Sequence, residues 1–315
     1  MNFTEAPAGR QHGRLQVSAA DGGSRIDQFL ARQTGYSRSW LRRLIDLGGV
    51  HCQGRRLRQC GHVLQPLDQV EWYYDGLAME PFRLRQELVL LQDGLVLAVN
   101  KPAGIDMQPT PARFKGTLYE ALCHWLQNPD RPRQAPTLAM VQRLDRETSG
   151  LVLFSIHPRA HKALTRQFVE RQVDKRYLAL LCGELPQPSG EFRSLLARQR
   201  SGNRMKSVVR GGREAITAFR LLHRAGGYSL VEARPLTGRT HQIRVHFAEA
   251  GYPLAGDALY GGTAAPCART MLHAWRLSLQ HPVTAAPLQL QASLPQDFYD
   301  LFAQLEWSHV ELPRD

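Results

Sequence analysis

Apolar positions recur along this chain with two periods, and the changes between them mark out its elements. Ile26, Phe29 and Leu30 fall on one helical face. A second helix starts after Ser37, a residue type that caps N-termini, with Tyr36 and Leu41 at the staple positions and Leu44 and Ile45 continuing the buried side until Gly48-Gly49 stops it. Val50-His51-Cys52, a Gln53-Gly54 turn and a return through Arg56 and Leu57 read as a hairpin, and Val63 to Trp72 as further strand. Beyond Asp75 to Arg85, a stretch with Gly76 and Pro81 that reads as a linker, the pattern becomes strand-rich. Leu95 to Val99, Leu138 to Val141, Leu151 to Ile156, Tyr177 to Cys182 and Tyr228 to Ala233 are apolar runs of strand length. Ala160, Leu164 and Phe168 share a helical face, as do Ile243 and Phe247, with Thr240 as the expected N-cap and Gly251 as the residue past the C-terminus.

Charge adds a direction to this layout. Forty Lys and Arg against 28 Asp and Glu give 315 residues a net charge of +12. A 43% hydrophobic content makes a disordered basic tail a poor source for it, and a folded basic protein meets nucleic acid or an anionic membrane. Half of that net charge lies between residues 25 and 58, where eight Arg face only Asp27 and Asp46. Phe192 to Arg213 adds seven Lys or Arg and no acid, with Gly202, Gly211 and Gly212 as breakers, and is expected to be a mobile basic loop. No run approaches the 18 or so apolar residues of a membrane span, and the first 23 residues lack the apolar stretch of a secretory signal, so cytoplasmic residence is expected. The five cysteines are scattered without a Cys-x-x-Cys, which points to reduced thiols and no zinc site.

Two segments carry candidate chemistry. Gln142-Arg143-Leu144-Asp145-Arg146-Glu147-Thr148-Ser149-Gly150 sets one carboxylate in a basic connection between two strands. Asp145 is then either a nucleophilic or basic carboxylate, or part of a turn in which Asp145, Thr148 and Ser149 bond their own backbone and Gly150 supplies a positive φ. Far downstream, Arg239, His241, Arg244 and His246 crowd into the start of a helix. His241 and Arg244 share a face at i, i+3, where they meet a carboxylate or a phosphate unless the face is merely solvated. Lys101, in the turn Lys101-Pro102-Ala103-Gly104, either touches phosphate or braces the turn.

At these residues the chain resembles the RluA family of RNA pseudouridine synthases. The family's Arg-Leu-Asp-x-x-Thr-Ser/Thr-Gly segment matches Arg143 to Gly150, its Lys-x-Tyr-x-Ala strand matches Lys175 to Ala179, and its Gly-Arg-Thr/Ser-His-Gln-Ile/Leu-Arg-Val-His segment matches Gly238 to His246. Asn100 to Gly104 and Gly256 to Gly262 are also family-like, and the resemblance runs from near Leu88 to the C-terminus. The chain departs from the family at Gln142 and Gln108, where His is usual or frequent. The resemblance implies an α+β catalytic domain with a mixed, mostly antiparallel central sheet, no cofactor and no metal. It makes Asp145, Tyr177 and Arg244 the catalytic residues. Tyr177 would stack on the uracil, Arg244 would pair with Asp145, Ile243 would pack against the base, Arg143 would enter the RNA stack at the flipped nucleotide, and Lys101 and His241 would contact substrate.

The helix-helix-hairpin order at the N-terminus resembles the S-four-type RNA-binding module, itself a small α+β domain. Its carried-over RNA contacts are Arg38, Arg42, Arg43, Arg55 and Arg56, acting by phosphate neutralisation, which fixes position more than sequence. The expected organisation is a flexible tail over 1–22, an S-four-type domain over 23–75, a linker over 76–87 and the catalytic domain over 88–315. The expected partner of a monomeric enzyme is RNA, ribosomal first and transfer RNA second, with neither DNA nor a membrane.

Other classes find less in the sequence. The His-x-Glu with Pro-Cys-x-x-Cys of a zinc deaminase is missing, as are a Gly-x-x-x-x-Gly-Lys-Ser/Thr loop and a Gly-x-Gly-x-x-Gly after a strand. A metal-dependent nuclease with Asp145, Glu147 and Asp257 around Mg²⁺ stays open, as does a non-catalytic RNA-binding assembly factor on the same fold.

Overall fold

Residues 7, 9–200, 204–262, 267–307, 310, 312 and 313 are described by a computed structural model of the chain. The chain forms two units, Met1–Leu84 with Ile105–Ala135, and Arg85–Gly104 with Pro136–Asp315.

The first unit is built from β1 (Gln11–Gln16), α1 (Ile26–Thr34), α2 (Arg38–Leu47), β2 (Val50–Cys52), β3 (Arg55–Leu57) and β4 (Gln69–Tyr74). Its antiparallel sheet has the order β1-β4-β2-β3. Ile26, Phe29 and Leu30 of α1 meet Leu41, Leu44 and Ile45 of α2 and Val50, Val70 and Trp72 of the sheet in one core. The Ser37 side chain accepts from the Trp40 N–H, and Gly48 closes α2 in the left-handed region, so the expected stop and start signals both operate. The structure corrects the tail expected over 1–22. Gln11–Gln16 pairs along β4, Arg14 binds Glu71 at 2.6 Å, and Leu15 and Val17 reach the core. With so few apolar residues, this strand is held by its ladder and carries no hydrophobic period to read. The strand expected from Val63 starts only at Gln69, because Leu67 takes a φ of 72° in a turn before it.

The structure also differs from the expected boundary at 76–87, since Ile105–Ala135 joins the N-terminal unit. Phe114 donates its N–H to the Leu47 carbonyl at 2.7 Å, and Arg113 binds Asp75 at 2.8 Å and the Ala78 carbonyl at 2.9 Å. Two of these bonds end on backbone carbonyls and the third is an ion pair between distant side chains, none of which a local pattern announces.

The second unit carries an 11-stranded sheet. Its strands are β5 (Val89–Gln92), β6 (Val96–Lys101), β7 (Ala139–Met140), β8 (Ser149–Ser155), β9 (Asp174–Cys182), β10 (Ser189–Arg198), β11 (Met205–Val208), β12 (Arg213–Ala225), β13 (Tyr228–Pro235), β14 (Leu272–Gln280) and β15 (Pro287–Gln291). The order is β11-β10-β12-β13-β9-β14-β8-β6-β5, with β15 on β14 and β7 on β8. Every pairing is antiparallel except β14 with β8. The expected α+β class with a mixed, mostly antiparallel sheet is therefore found. Helix α3 (Leu118–Trp125) belongs to the first unit; α4 (Pro158–Val169), α5 (Gln242–Glu249) and α6 (Gln296–Gln304) belong to the second. Phe298, Leu301 and Phe302 of α6 pack with Trp275, Leu180 and Leu230, while Ile243 and Phe247 of α5 pack with Ala179, Val231 and Phe219.

The basic stretch 192–213 is not a loop. Its two sides form β10 and β11, paired from Leu195↔Val208 to Arg198↔Met205, with residues 201–203 between them outside the described set. The apolar residues there, Leu195-Leu196-Ala197 on one side and Met205 and Val208 on the other, show no clean two-residue period, and charge content and glycine breakers dominate the local pattern. No helix among the described residues is long and apolar enough to cross a membrane.

Candidate active site

One row across the sheet sets the geometry. Lys101 of β6 pairs with Gly150 of β8, Gly150 with Ala274 of β14, Ala274 with Tyr177 of β9, and Tyr177 with Ala233 of β13. The Asp145 loop enters at Gly150 and α5 leaves shortly after β13, so two segments about a hundred residues apart converge at one edge of this row. Gly150 is required there. Its φ is +111°, and a Cβ would lie 2.2 Å from the Ala274 carbonyl oxygen.

The Asp145 loop is braced from several sides. Thr148 donates its N–H to the Asp145 carbonyl at 3.1 Å, and the Gly104 N–H donates to the Arg146 carbonyl at 2.9 Å. Lys101 is 1% exposed, and its ammonium donates to the carbonyls of Pro102 at 2.9 Å and Arg146 at 3.0 Å. That is the geometry of a brace rather than of a phosphate contact. Arg269 donates to the Glu147 carbonyl at 3.1 Å while forking onto Asp297 of α6 at 2.6 and 2.8 Å. Gln142, where the family usually has His, reaches the Leu151 carbonyl at 3.5 Å.

Arg244 is the electrostatic centre. Its Nε and Nη2 donate to Asp257 Oδ2 and Oδ1 at 2.7 and 2.8 Å, and its Nη1 donates to Asp145 Oδ2 at 3.0 Å. Burial alone would lower the guanidinium pKa. The hydrogen bonds and charge of Asp257, then those of Asp145, more than offset this, and the net shift is upward. Asp257 is fully buried, whereas the Asp145 side chain keeps 27% of its exposure. One carboxylate therefore anchors the cation, and the cation orients the other. Arg244 occupies the space between Asp145 and Asp257, so the arrangement is that of a guanidinium clamp and not of carboxylates converging on Mg²⁺.

His241, not Thr240, is the N-cap of α5, and it sits at φ 54°, ψ 19° in the left-handed region. Its Nδ1 lies 2.9 Å from the Tyr260 hydroxyl and its Nε2 3.8 Å from Asp145 Oδ2. Burial pushes the His241 pKa down against the opposing charge of Asp145, which favours the neutral ring. The Tyr260 ring lies against Arg244, with the guanidinium carbon 5.0 Å from its centroid. The turn is fixed by Gln242, whose amide accepts from Thr237 Oγ1 and the Arg239 N–H and donates to Ile216 O and Thr217 Oγ1, all within 3.1 Å.

Tyr177 is partly buried next to this group, and burial, with the Asp145 charge, pushes its phenol pKa up. Ile243 is 5% exposed in the core cluster that Tyr177 borders. Arg143 is exposed on the Asp145 loop. His246 is inward, bonded to Thr217 Oγ1 at 2.9 Å and Ser194 Oγ at 3.1 Å, and Arg239 donates to the Glu214 carbonyl. Of the crowded basic quartet, only His241 and Arg244 face Asp145.

In the N-terminal unit, Arg38 and Arg42, with Arg25, surround the fully buried Asp27 at 3.1, 2.8 and 3.2 Å. Burial would raise the Asp27 pKa, but these three bonds pull it down to about 2. Arg43 binds Glu80 at 2.6 Å. Arg56 donates to the Gly48 and Thr110 carbonyls and is a structural brace. Arg55 alone of the five is exposed with no partner among the described residues.

Sequence reasoning gave Asp257 only a place around a metal and gave Tyr260 no role. Their signal was the family-like Gly256 to Gly262. A Cβ on Gly256 would lie 1.9 Å from the Arg269 carbonyl, and this tight turn is what sets Asp257 beneath Arg244.

Residues 95–249 match the family model described as RNA pseudouridylate synthase, which defines the class of protein that this sheet and site belong to. The chain is 32% identical, over 92% of its length, to the uncharacterized RNA pseudouridine synthase YlyB of Bacillus subtilis, of which it covers 97%. It is 34% identical, over 92% of its length, to the ribosomal large subunit pseudouridine synthase D of Neisseria meningitidis, of which it covers 81%. Its fold resembles that of human RNA pseudouridylate synthase domain containing 4, with a TM-score of 0.59 and 23% identity over 72% of this chain and 95% of that one. The chain belongs to the RluA family of RNA pseudouridine synthases, enzymes that isomerise uridine in RNA.

Proposed function

We propose that this enzyme converts uridine to pseudouridine in large-subunit ribosomal RNA, with Asp145 as the essential carboxylate. The reaction breaks N1–C1′, turns the uracil and joins C5 to C1′; the C5 proton leaves and N1 gains one, so no cofactor enters the balance. The observation that carries the assignment is the clamp in which Arg244, anchored by buried Asp257, holds Asp145 Oδ2. Asp145 either attacks C1′ or removes a sugar proton, and both routes need a carboxylate held in place with one oxygen free. Tyr177 stacks on the uracil and takes part in loss of the C5 proton. Arg143, exposed on the same loop, fills the RNA stack from which the nucleotide has been flipped. Arg55 and the half-exposed Arg38, Arg42 and Arg43 meet phosphates and position the RNA.

Ribosomal RNA is favoured because the relative from Neisseria, matched over 92% of this chain, is named for the large ribosomal subunit. The test is a comparison of carbodiimide-dependent reverse-transcription stops on total RNA from cells with and without this protein. Loss of a stop in large-subunit RNA is the expected result. Loss confined to transfer RNA would overturn the target, and an unchanged pattern would overturn the function.

A further inference from the structure

Both polar contacts to Asp145 fall on the same oxygen. Arg244 Nη1 is 3.0 Å from Oδ2 and His241 Nε2 is 3.8 Å from it, while Oδ1 has no hydrogen-bond partner among the described residues. What His241 presents to Asp145 depends on its tautomer, which the surrounding bonds determine. The Met205 N–H of β11 donates to the Tyr260 hydroxyl at 2.8 Å. That hydroxyl has one proton of its own, and His241 Nδ1 at 2.9 Å is the acceptor available to it. With that proton placed on the Tyr260–Nδ1 bond, Nδ1 is the bare nitrogen and Nε2 carries the hydrogen, 3.8 Å from Asp145 Oδ2, a distance of electrostatic contact that a small closure would turn into a hydrogen bond.

We propose that His241 is a positioning residue, whose Nε2–H, set by Tyr260 and the Met205 backbone, fixes Asp145 Oδ2 together with Arg244 and leaves Oδ1 as the oxygen that reacts. This rests on Asp145 being the essential carboxylate. The strained backbone supports the assignment. A non-glycine residue at φ 54° sits in a disfavoured region of the backbone, and Asn would occupy the position with less strain. Asn would keep a group at the place of Nδ1 for Tyr260 but none at the place of Nε2. His at this position has the longer reach, and that reach points to Asp145.

The opposition between strain and reach supplies the test. Gln places its amide nitrogen near the position of Nε2, and Asn places its terminal atoms near that of Nδ1. Single-turnover rates and KM on a substrate RNA are measured for the wild type, His241→Gln, His241→Asn, Tyr260→Phe and the His241→Gln/Tyr260→Phe double variant, alongside thermal unfolding. The expected result is a His241→Gln rate within about threefold of wild type, a His241→Asn rate lower by about 10-fold or more at unchanged KM, and an unfolding temperature for Asn at or above that of Gln. Tyr260→Phe alone should slow turnover about 5-fold, and should add nothing to His241→Gln, because an amide has no tautomer to set. Rates that follow stability, with Asn at or above Gln, would overturn the proposal, as would an undiminished Tyr260→Phe effect in the double variant. Asp145→Asn is run beside them. If it stays active the catalytic assignment itself has failed, whereas an inactive Asp145→Asn with the reversed Gln and Asn order condemns the role of His241 alone.

Discussion

Replacing Arg244 by Lys keeps the positive charge and removes the fork, which separates two explanations of the clamp. The guanidinium makes three short N–H···O bonds, two to Asp257 at 2.7 and 2.8 Å and one to Asp145 at 3.0 Å. A single ammonium on a flexible stem cannot bridge both carboxylates in that geometry, so about two of these bonds are lost. Each charge-assisted bond contributes about 1.5–3 kcal/mol net, and leaving part of a buried pair unmatched costs about 3–5 kcal/mol. The clamp's share in orienting Asp145 is expected to appear as a loss of about 10²-fold in the chemical step, or roughly 2.7 kcal/mol. The C5 hydrogen leaves to solvent when C5 bonds C1′, so tritium release from RNA labelled at uracil C5, with enzyme in excess, reads that step directly. Thermal unfolding of the same samples confirms that the protein is folded at the assay temperature. A rate within threefold of wild type would show that charge alone suffices. A change in KM with an unchanged rate would place Arg244 on the RNA surface instead of beside Asp145.

Three other outcomes follow from single contacts. Gly150→Ala forces a Cβ to within 2.2 Å of the Ala274 carbonyl at a φ of +111°, and should destabilise the catalytic unit by about 3 kcal/mol or more, read as a fall in Tm; an unchanged Tm would mean the β8–β14 pairing is wrong. His273 is fully buried against Ser149, and burial lowers its pKa to about 4. The unfolded state then binds a proton that the folded state refuses between about pH 6.5 and 4, so stability should fall with falling pH across that window by about 3 kcal/mol in all and level off below it. Denaturation midpoints for wild type and His273→Gln across this range test the point, since the variant should lack that slope. Arg55→Ala, at an exposed cation without a partner among the described residues, should raise KM and lessen the salt slope by about 0.7–0.9 while leaving the single-turnover rate unchanged; an altered rate would exclude a purely phosphate role.

What could be read from the sequence was what its periodicity and motifs encode locally. The α1 and α2 faces, the Ser37 cap, the Gly48 stop and strands β6, β8, β9 and β13 all lie where apolar spacing and turn residues placed them. The Asp145 and Arg244 segments were legible as motifs, and their meeting was legible through family resemblance. Their join is made by the ladder from Gly150 through Ala274 to Tyr177, in which backbone groups do the pairing. Strand β1 is held by main-chain bonds with little apolar signal, whereas the 105–135 segment does carry a helical apolar face in Leu118, Ala121 and Leu122, and what the sequence does not display is its tie to the N-terminal unit through backbone bonds to Leu47. Arg56 reads as one more cation of a basic face, and only the structure shows it spent on two carbonyls. Asp257 and Tyr260 belonged to a recognised motif, but their roles appear only once the glycine turn sets them against Arg244.

The most direct test of the account is the Asp145→Asn enzyme, assayed in single turnover on an RNA that the wild type modifies, with binding measured on the same RNA. The amide keeps the shape of the side chain and removes the oxygen needed for attack or proton removal. Binding within a few-fold of wild type together with conversion below about 1% of the wild-type rate is the predicted result. Conversion above that level by a protein that binds normally would contradict the assignment of Asp145 and, with it, the reading of the Arg244 clamp.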